Sequence, residues 1–130
     1  MFVVIVIAVV LKDLKQTTKK KSRSEDFPVQ DFKCKAKKHA LEATPQEACG
    51  VLVNNTYYPC RNLADEPNND FILDPKDYLK ARVKGKIQAI IHSHPEGQQP
   101  SFADKKACAR TKLPWYIYLV PEDKWLTINP

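Results

Sequence analysis

A chain of 130 residues, 43% hydrophobic and 28% charged, has the length for one core and the composition of a globular domain rather than a fibre or a disordered polymer. Its formal charge of +6 is concentrated at one end: residues 1–24 hold Lys12, Lys15, Lys19, Lys20, Lys21 and Arg23 against one acid, Asp13, and the rest carries 15 basic and 14 acidic residues. A nucleic-acid-binding domain would carry that charge on its folded face, so this function class loses most of its support and no nucleic-acid partner is expected.

The chain opens on "MFVVIVIAVVL", 11 apolar residues followed by the basic "KDLKQTTKKKSRSED". A membrane-spanning helix needs ~20 apolar residues, and a secretory signal needs a basic start and a small-residue cleavage site. Residues 1–28 are therefore expected to be a disordered or dispensable extension, with no firm membrane association. An edge strand, an inward-facing anchor stub and a misplaced start codon stay open as alternatives. The folded domain is then residues 29–130.

From Gln30 to Ala43 the spacing predicts a helix with Phe32, Ala36, Ala40 and Ala43 on one face. His39, among the lysines opposite, is expected to be solvated. "TPQE", Thr44–Glu47, has the pattern of a capping box. "CGVLV" and "TYYPC" predict a hairpin turning on Asn54 and Asn55, which pairs Cys49 with Cys60. Such neighbours could bond in an oxidising setting; in a reducing cytoplasm they stay thiols. The four cysteines lack C-x-x-C spacing, which argues against a structural zinc knuckle.

"RNLADEPNND" is a loop by composition, and Phe71–Leu73 a short strand. Asp74 as cap and Pro75 as first helical residue predict a helix through Val83, ended by Gly85. The apolar "KIQAII" is a central strand. Ser101 opens a helix through about Thr111, on which Cys108 is a small core residue. "PWYIYLV" and "KWLTI" are strands joined by "PEDK", with Trp115, Tyr116 and Tyr118 packed on both faces. The order α-β-β-β-α-β-α-β-β implies an α/β sandwich, a mixed central sheet flanked by helices.

His92 and His94 stand at the end of the strand over Ile87–Ile91, and residues two apart point to the same side, so both imidazoles can converge. Pro95 then turns the chain away. Two neutral imidazoles suit zinc, and Asp104 on the following helix could be the third ligand, leaving one position open for solvent as catalytic zinc sites do. The bland alternative is that Ser101 and Asp104 only cap that helix. Ser93, between the histidines, should face away and carry no chemistry.

"E-x-C-G", then "H-S-H-P", then "S-x-x-D" resembles the signature of the JAMM (MPN-plus, JAB) zinc metallopeptidases over about Phe32–Ile128. "EACGVLV", "YYPCRNLADEP", "IIHSHPEG" and "LPWYIYLV" are similar, more narrowly, to the JAMM domain of tail assembly proteins of tailed phages. The resemblance implies a cytidine-deaminase-like sandwich and Zn2+ held by His92, His94 and Asp104. It also implies Glu47 as general base and Ser101 as helper at the developing oxyanion. The implied activity is hydrolysis of a peptide or isopeptide bond in a protein substrate during phage tail assembly, in the cytoplasm of an infected host. In those proteins an NlpC-type peptidase domain usually follows; here a lone JAMM protein, a fragment and one half of a split pair stay open, and the resemblance implies an NlpC-type peptidase or tail proteins as partners. One departure is the loop between Pro95 and Ser101, whose five residues are about one fewer than the pattern expects. The competing function is an assembly module that keeps the fold with little hydrolysis. A nucleotide deaminase is set aside, because H-x-E and P-C-x-x-C are missing.

Overall fold

Eight elements alternate along residues 30–130, the part of the chain described by the computed structural model; the extension expected at 1–28 lies outside it. They are α1 (Gln30–Ala43), β1 (Cys49–Val53), β2 (Thr56–Cys60), α2 (Pro75–Arg82), β3 (Ile87–His94), α3 (Phe102–Thr111), β4 (Trp115–Leu119) and β5 (Lys124–Ile128). The strands form one sheet in the order β2-β1-β3-β4-β5, antiparallel throughout except for the parallel pair β3–β4. The mixed α/β architecture expected from the sequence is the one observed.

Side-chain alternation along the strands divides the core between the two faces of the sheet. On one face, Phe32 and Ala36 of α1 pack with Leu52, Tyr57, Ala89 and Ile91. On the other, Tyr78 and Ala81 of α2 and Ala107 and Cys108 of α3 close over Val51, Ile90 and Trp115. Cys108 is thus a core residue, its Sγ donating to the carbonyls of Leu113 and Ile128.

The β1–β2 hairpin has the expected register, Cys49 opposite Cys60, because Asn54 and Asn55 both adopt the positive φ of a type I′ turn (52° and 62°). Both thiols are free, and burial pushes the pKa of each up. The β1–β3 register shifts between Leu52 and Val53, skipping Gln88, whose side chain instead accepts the N–H of Asn55 at 2.8 Å.

Four expectations need correction. Phe71–Leu73 is not a strand: the contact is one isolated bridge between Asn62 and Leu73, and the segment around it is held by side-chain bonds. β3 does not stop at Ile91 but runs through His94, because β4 pairs with it along Ile90–His94. "TPQE" caps no helix; Thr44 and Pro45 form a turn after α1, and Glu47 is drawn into the interior. His39 is not solvated but half-buried, with Nδ1 2.6 Å from the Tyr57 hydroxyl.

The β3–α3–β4 crossover matters most for function. Parallel neighbours need a crossover connection, here a helix, and such a helix begins beyond the carboxyl end of the strand before it. The N-terminus of α3 is therefore brought to the end of β3 that carries the histidines.

Candidate metal centre

β3 supplies the first two side chains. His92 and His94 lie on one face, their ring centroids 5.0 Å apart, and both are buried. Cys49 pairs with His92, so continuing that register by two residues sets Glu47 opposite His94 on the same face. Ala48 and Ser93 secure this extension: Ser93 N–H donates to the Ala48 carbonyl, and Ser93 Oγ accepts the Ala48 N–H at 2.8 Å. Ser93 faces away from the histidines, as expected. Glu47 is only 6% exposed, with Oε1 3.5 Å from His92 Nδ1.

α3 supplies the rest. Ser101 is its N-cap, and the reciprocal capping box is formed: Ser101 Oγ accepts the Asp104 N–H at 3.0 Å, and Asp104 Oδ2 accepts the Ser101 N–H at 2.9 Å. The same Oδ2 stands 3.6 Å from His94 Nε2. The short Pro95–Ser101 loop thus still delivers Asp104 to the histidines. Capping and proximity to His94 coexist, since a carboxylate oxygen has more than one lone pair.

The protonation pattern follows from the partners. His94 Nδ1 lies 2.5 Å from the Gln98 carbonyl, which can only accept, so Nδ1 carries the proton and Nε2 presents a lone pair to Asp104. Burial lowers the His94 pKa, with His92 adding to the effect. Two acceptors facing each other at 3.6 Å repel unless a cation or proton lies between them.

His92 is more extreme: it is stacked on Phe71 at 4.3 Å and edge-on to Trp115 at 5.3 Å, and neither ring nitrogen has a hydrogen-bond partner. Burial pushes its pKa down to about 4, so the ring is neutral at pH 7. Burial pushes Glu47 the other way, to about 8; the charge of His94 opposes this, and Asp104 and Asp70 reinforce it.

These features fit a divalent metal. Among the described residues, Glu47, His92 and His94 offer ligand atoms within 4.8 Å of one another. Tetrahedral zinc with bonds of ~2.0–2.1 Å holds its donors about 3.3 Å apart, close to the 3.6 Å between His94 Nε2 and Asp104 Oδ2. The donor set is imidazole and carboxylate, the lone pair of His94 Nε2 is free, and an orphaned imidazole gains the partner it lacks.

Three residues in the surroundings were not singled out by the sequence. Phe71 forms the stacking floor under His92, and the Gln98 carbonyl sets the tautomer of His94. Asn62 Nδ2 donates to the Glu47 carbonyl at 3.0 Å. Their signals were faint: an aromatic just before the D-P helix start, and polar residues in loops rich in them.

A mixed sheet between helix layers, with two histidines at a strand end, a buried glutamate beside them and an S-x-x-D helix start, defines a class. The chain belongs to the prokaryotic homologs of the JAB domain, whose family model matches residues 35–128. It is 45% identical over 97 residues to tail tip assembly protein K of Escherichia phage N15, covering 71% of this chain and 40% of that protein. It is 39% identical over 46 residues to tail tip assembly protein K of Escherichia phage lambda, covering 35% of this chain and 23% of that one. The chain thus spans well under half the length of these curated relatives. Its fold is similar to the solution structure of protein DSY2949 from Desulfitobacterium hafniense, with a TM-score of 0.61 and 28% identity over 74% of this chain and 76% of the other.

Proposed function

We propose that this domain hydrolyses a peptide or isopeptide bond with the help of zinc, in the assembly of a phage tail. The observation that carries the reading is the buried cluster itself, in which His92 has two unpartnered nitrogens and Glu47 lies 3.5 Å away. His92, His94 and Asp104 would hold the ion. When bound, zinc supplies a Lewis acid and lowers the pKa of a water from 15.7 toward ~7.

The remaining steps belong to the chain. Glu47 takes a proton from the attacking water and delivers it to the leaving amine. A divalent charge beside it offsets the burial that holds its carboxyl protonated at neutral pH. Ser101 Oγ accepts from Asp104 N–H and keeps its own O–H to donate to the carbonyl oxygen as charge develops there. Phe71 and Trp115 keep bulk water from the His92 side. The names of the phage relatives support tail proteins as partners; an NlpC-type peptidase as a further partner and the cytoplasm of an infected host as the place of action are part of the same proposal.

The test is Glu47→Gln, assayed with quenched-fluorescence peptides that include Lys ε-linked isopeptides. Zinc should stay bound while turnover falls about 10²–10⁴-fold. A second reading has its own observation: Glu47, rather than Asp104, completes the tightest metal group with the histidines. A glutamate used as ligand is not a free base, and the domain would then be an assembly module with little hydrolysis. That reading holds if Glu47→Gln loses the metal while Asp104→Asn keeps it.

A further inference from the structure

Glu47 precedes β1, so its backbone lies where the sheet ladder has not yet begun. Both of its main-chain polar groups are nevertheless bonded, and both lead to one side chain. The Glu47 N–H donates to the Pro67 carbonyl at 2.7 Å. The Glu47 carbonyl accepts from Asn62 Nδ2 at 3.0 Å. The same Nδ2 reaches the carbonyls of Asp70 at 2.9 Å and Pro67 at 3.4 Å, while Asn62 Oδ1 accepts the N–H groups of Ala64 at 3.0 Å and Ile72 at 3.1 Å.

We infer that Asn62 is the positioning residue for Glu47, an amide that clasps the 62–72 loop onto the backbone of the catalytic carboxylate. The inference rests on the hydrolase reading for the word catalytic, but the clasp itself is geometry. Only a carboxamide offers two donors and a two-lone-pair acceptor on so short a side chain, and here the acceptor is saturated and the donors face three carbonyls. An aspartate of the same shape would keep the bonds from Ala64 and Ile72. It would also set an anionic oxygen against the carbonyls of Glu47, Pro67 and Asp70. Asn62→Asp is therefore a selective cut: the half of the loop that leads to Phe71 stays anchored, and the half that holds Glu47 is released. Misplacing a reacting group by about 1 Å can cost ~10²-fold in rate.

The experiment compares the full-length wild type and Asn62→Asp, both zinc-loaded, by amide hydrogen exchange and by steady-state kinetics on the fluorogenic peptides. The Glu47 amide should lose at least about tenfold in protection while Ile90, in the central strand, is unchanged. Bound zinc should stay at the wild-type level, and kcat should fall about 100-fold with KM little altered. Glu47 protection and kcat both as in wild type would overturn the inference, as would an equal loss at Glu47 and Ile90, which would mark mere destabilisation. If Asn62→Asp does not fold, Asn62→Ser, which removes the amide donors without adding a charge, takes the same two measurements. If the zinc-loaded wild type cleaves nothing, the hydrolase reading fails by itself, and the exchange comparison alone decides the clasp.

Discussion

His92 is a side chain that the metal-free protein cannot satisfy. A buried donor or acceptor left unpaired costs about 1–3 kcal/mol, and this ring has one of each. Replacing it with an apolar residue should therefore not destabilise the metal-free domain as a core substitution ordinarily does. In the presence of a chelator, His92→Leu should be as stable as the wild type or more stable by up to about 2 kcal/mol, while losing zinc binding. Thermal melts with EDTA check the first part and metal titration the second. A drop of several kcal/mol would mean that His92 is held by packing alone. At this scale the sequence was unevenly legible. "H-S-H" exposes its own geometry, because a strand puts every second residue on one side. The partner of His39 is Tyr57, 18 residues away, and the bonds of Asn62 span a loop whose composition looks like any other. Contacts that depend on how two elements dock leave no local trace.

At the scale of elements, α3 combines a structural and a chemical role in its first turn. Ser→Ala at an N-cap costs typically ~1 kcal/mol, whereas Ser→Gly costs only a few tenths. Ser101→Gly should thus keep nearly wild-type stability and still lower kcat about 100-fold, if the hydroxyl donates to the oxyanion. A calorimetric melt and a kinetic assay on the same preparation separate the two roles; full activity in Ser101→Gly would leave the serine as a cap only. The β1–β2 hairpin offers a purely structural check. Asn55 sits at φ 62°, and Asn55→Ala should cost about 1 kcal/mol in a denaturant titration without affecting metal binding. That turn was legible because two asparagines that tolerate positive φ between "CGVLV" and "TYYPC" set one register. The Phe71–Leu73 segment misled because three apolar residues signal burial, and burial there is achieved by one bridge and the Asn62 side chain rather than by a ladder. "TPQE" misled in the same way: it carries the composition of a helix start, but the docking of the 62–72 loop turns its glutamate inward.

For the whole molecule, the buried titratable groups of the site make stability depend on pH and on metal. The folded pKa of His92 is depressed from 6.5 to about 4, so the stability tied to its neutral form is present above 6.5 and lost as pH falls through 4. The folded pKa of Glu47 is raised from 4.5 to about 8, so the stability tied to its protonated form is present below 4.5 and lost as pH rises through 8. Between 4.5 and 6.5 the two slopes oppose each other. Above 6.5 only the Glu47 slope remains, and at ~1.4 kcal/mol per pH unit the metal-free domain should lose about 2 kcal/mol by pH 8. Glu47→Gln should flatten that loss in chelator-treated protein, and zinc should reduce it in the wild type. An unchanged alkaline slope in Glu47→Gln would place its origin elsewhere. Among the described residues no helix is long and apolar enough to cross a membrane.

If His92 and His94 hold one divalent ion between them, elemental analysis of the protein purified with zinc in the medium, alongside His92→Ala prepared in the same way, will show it. The wild type should carry one zinc per chain and the variant essentially none; a metal-free wild type, or equal zinc in both, would show that the two histidines hold no such ion.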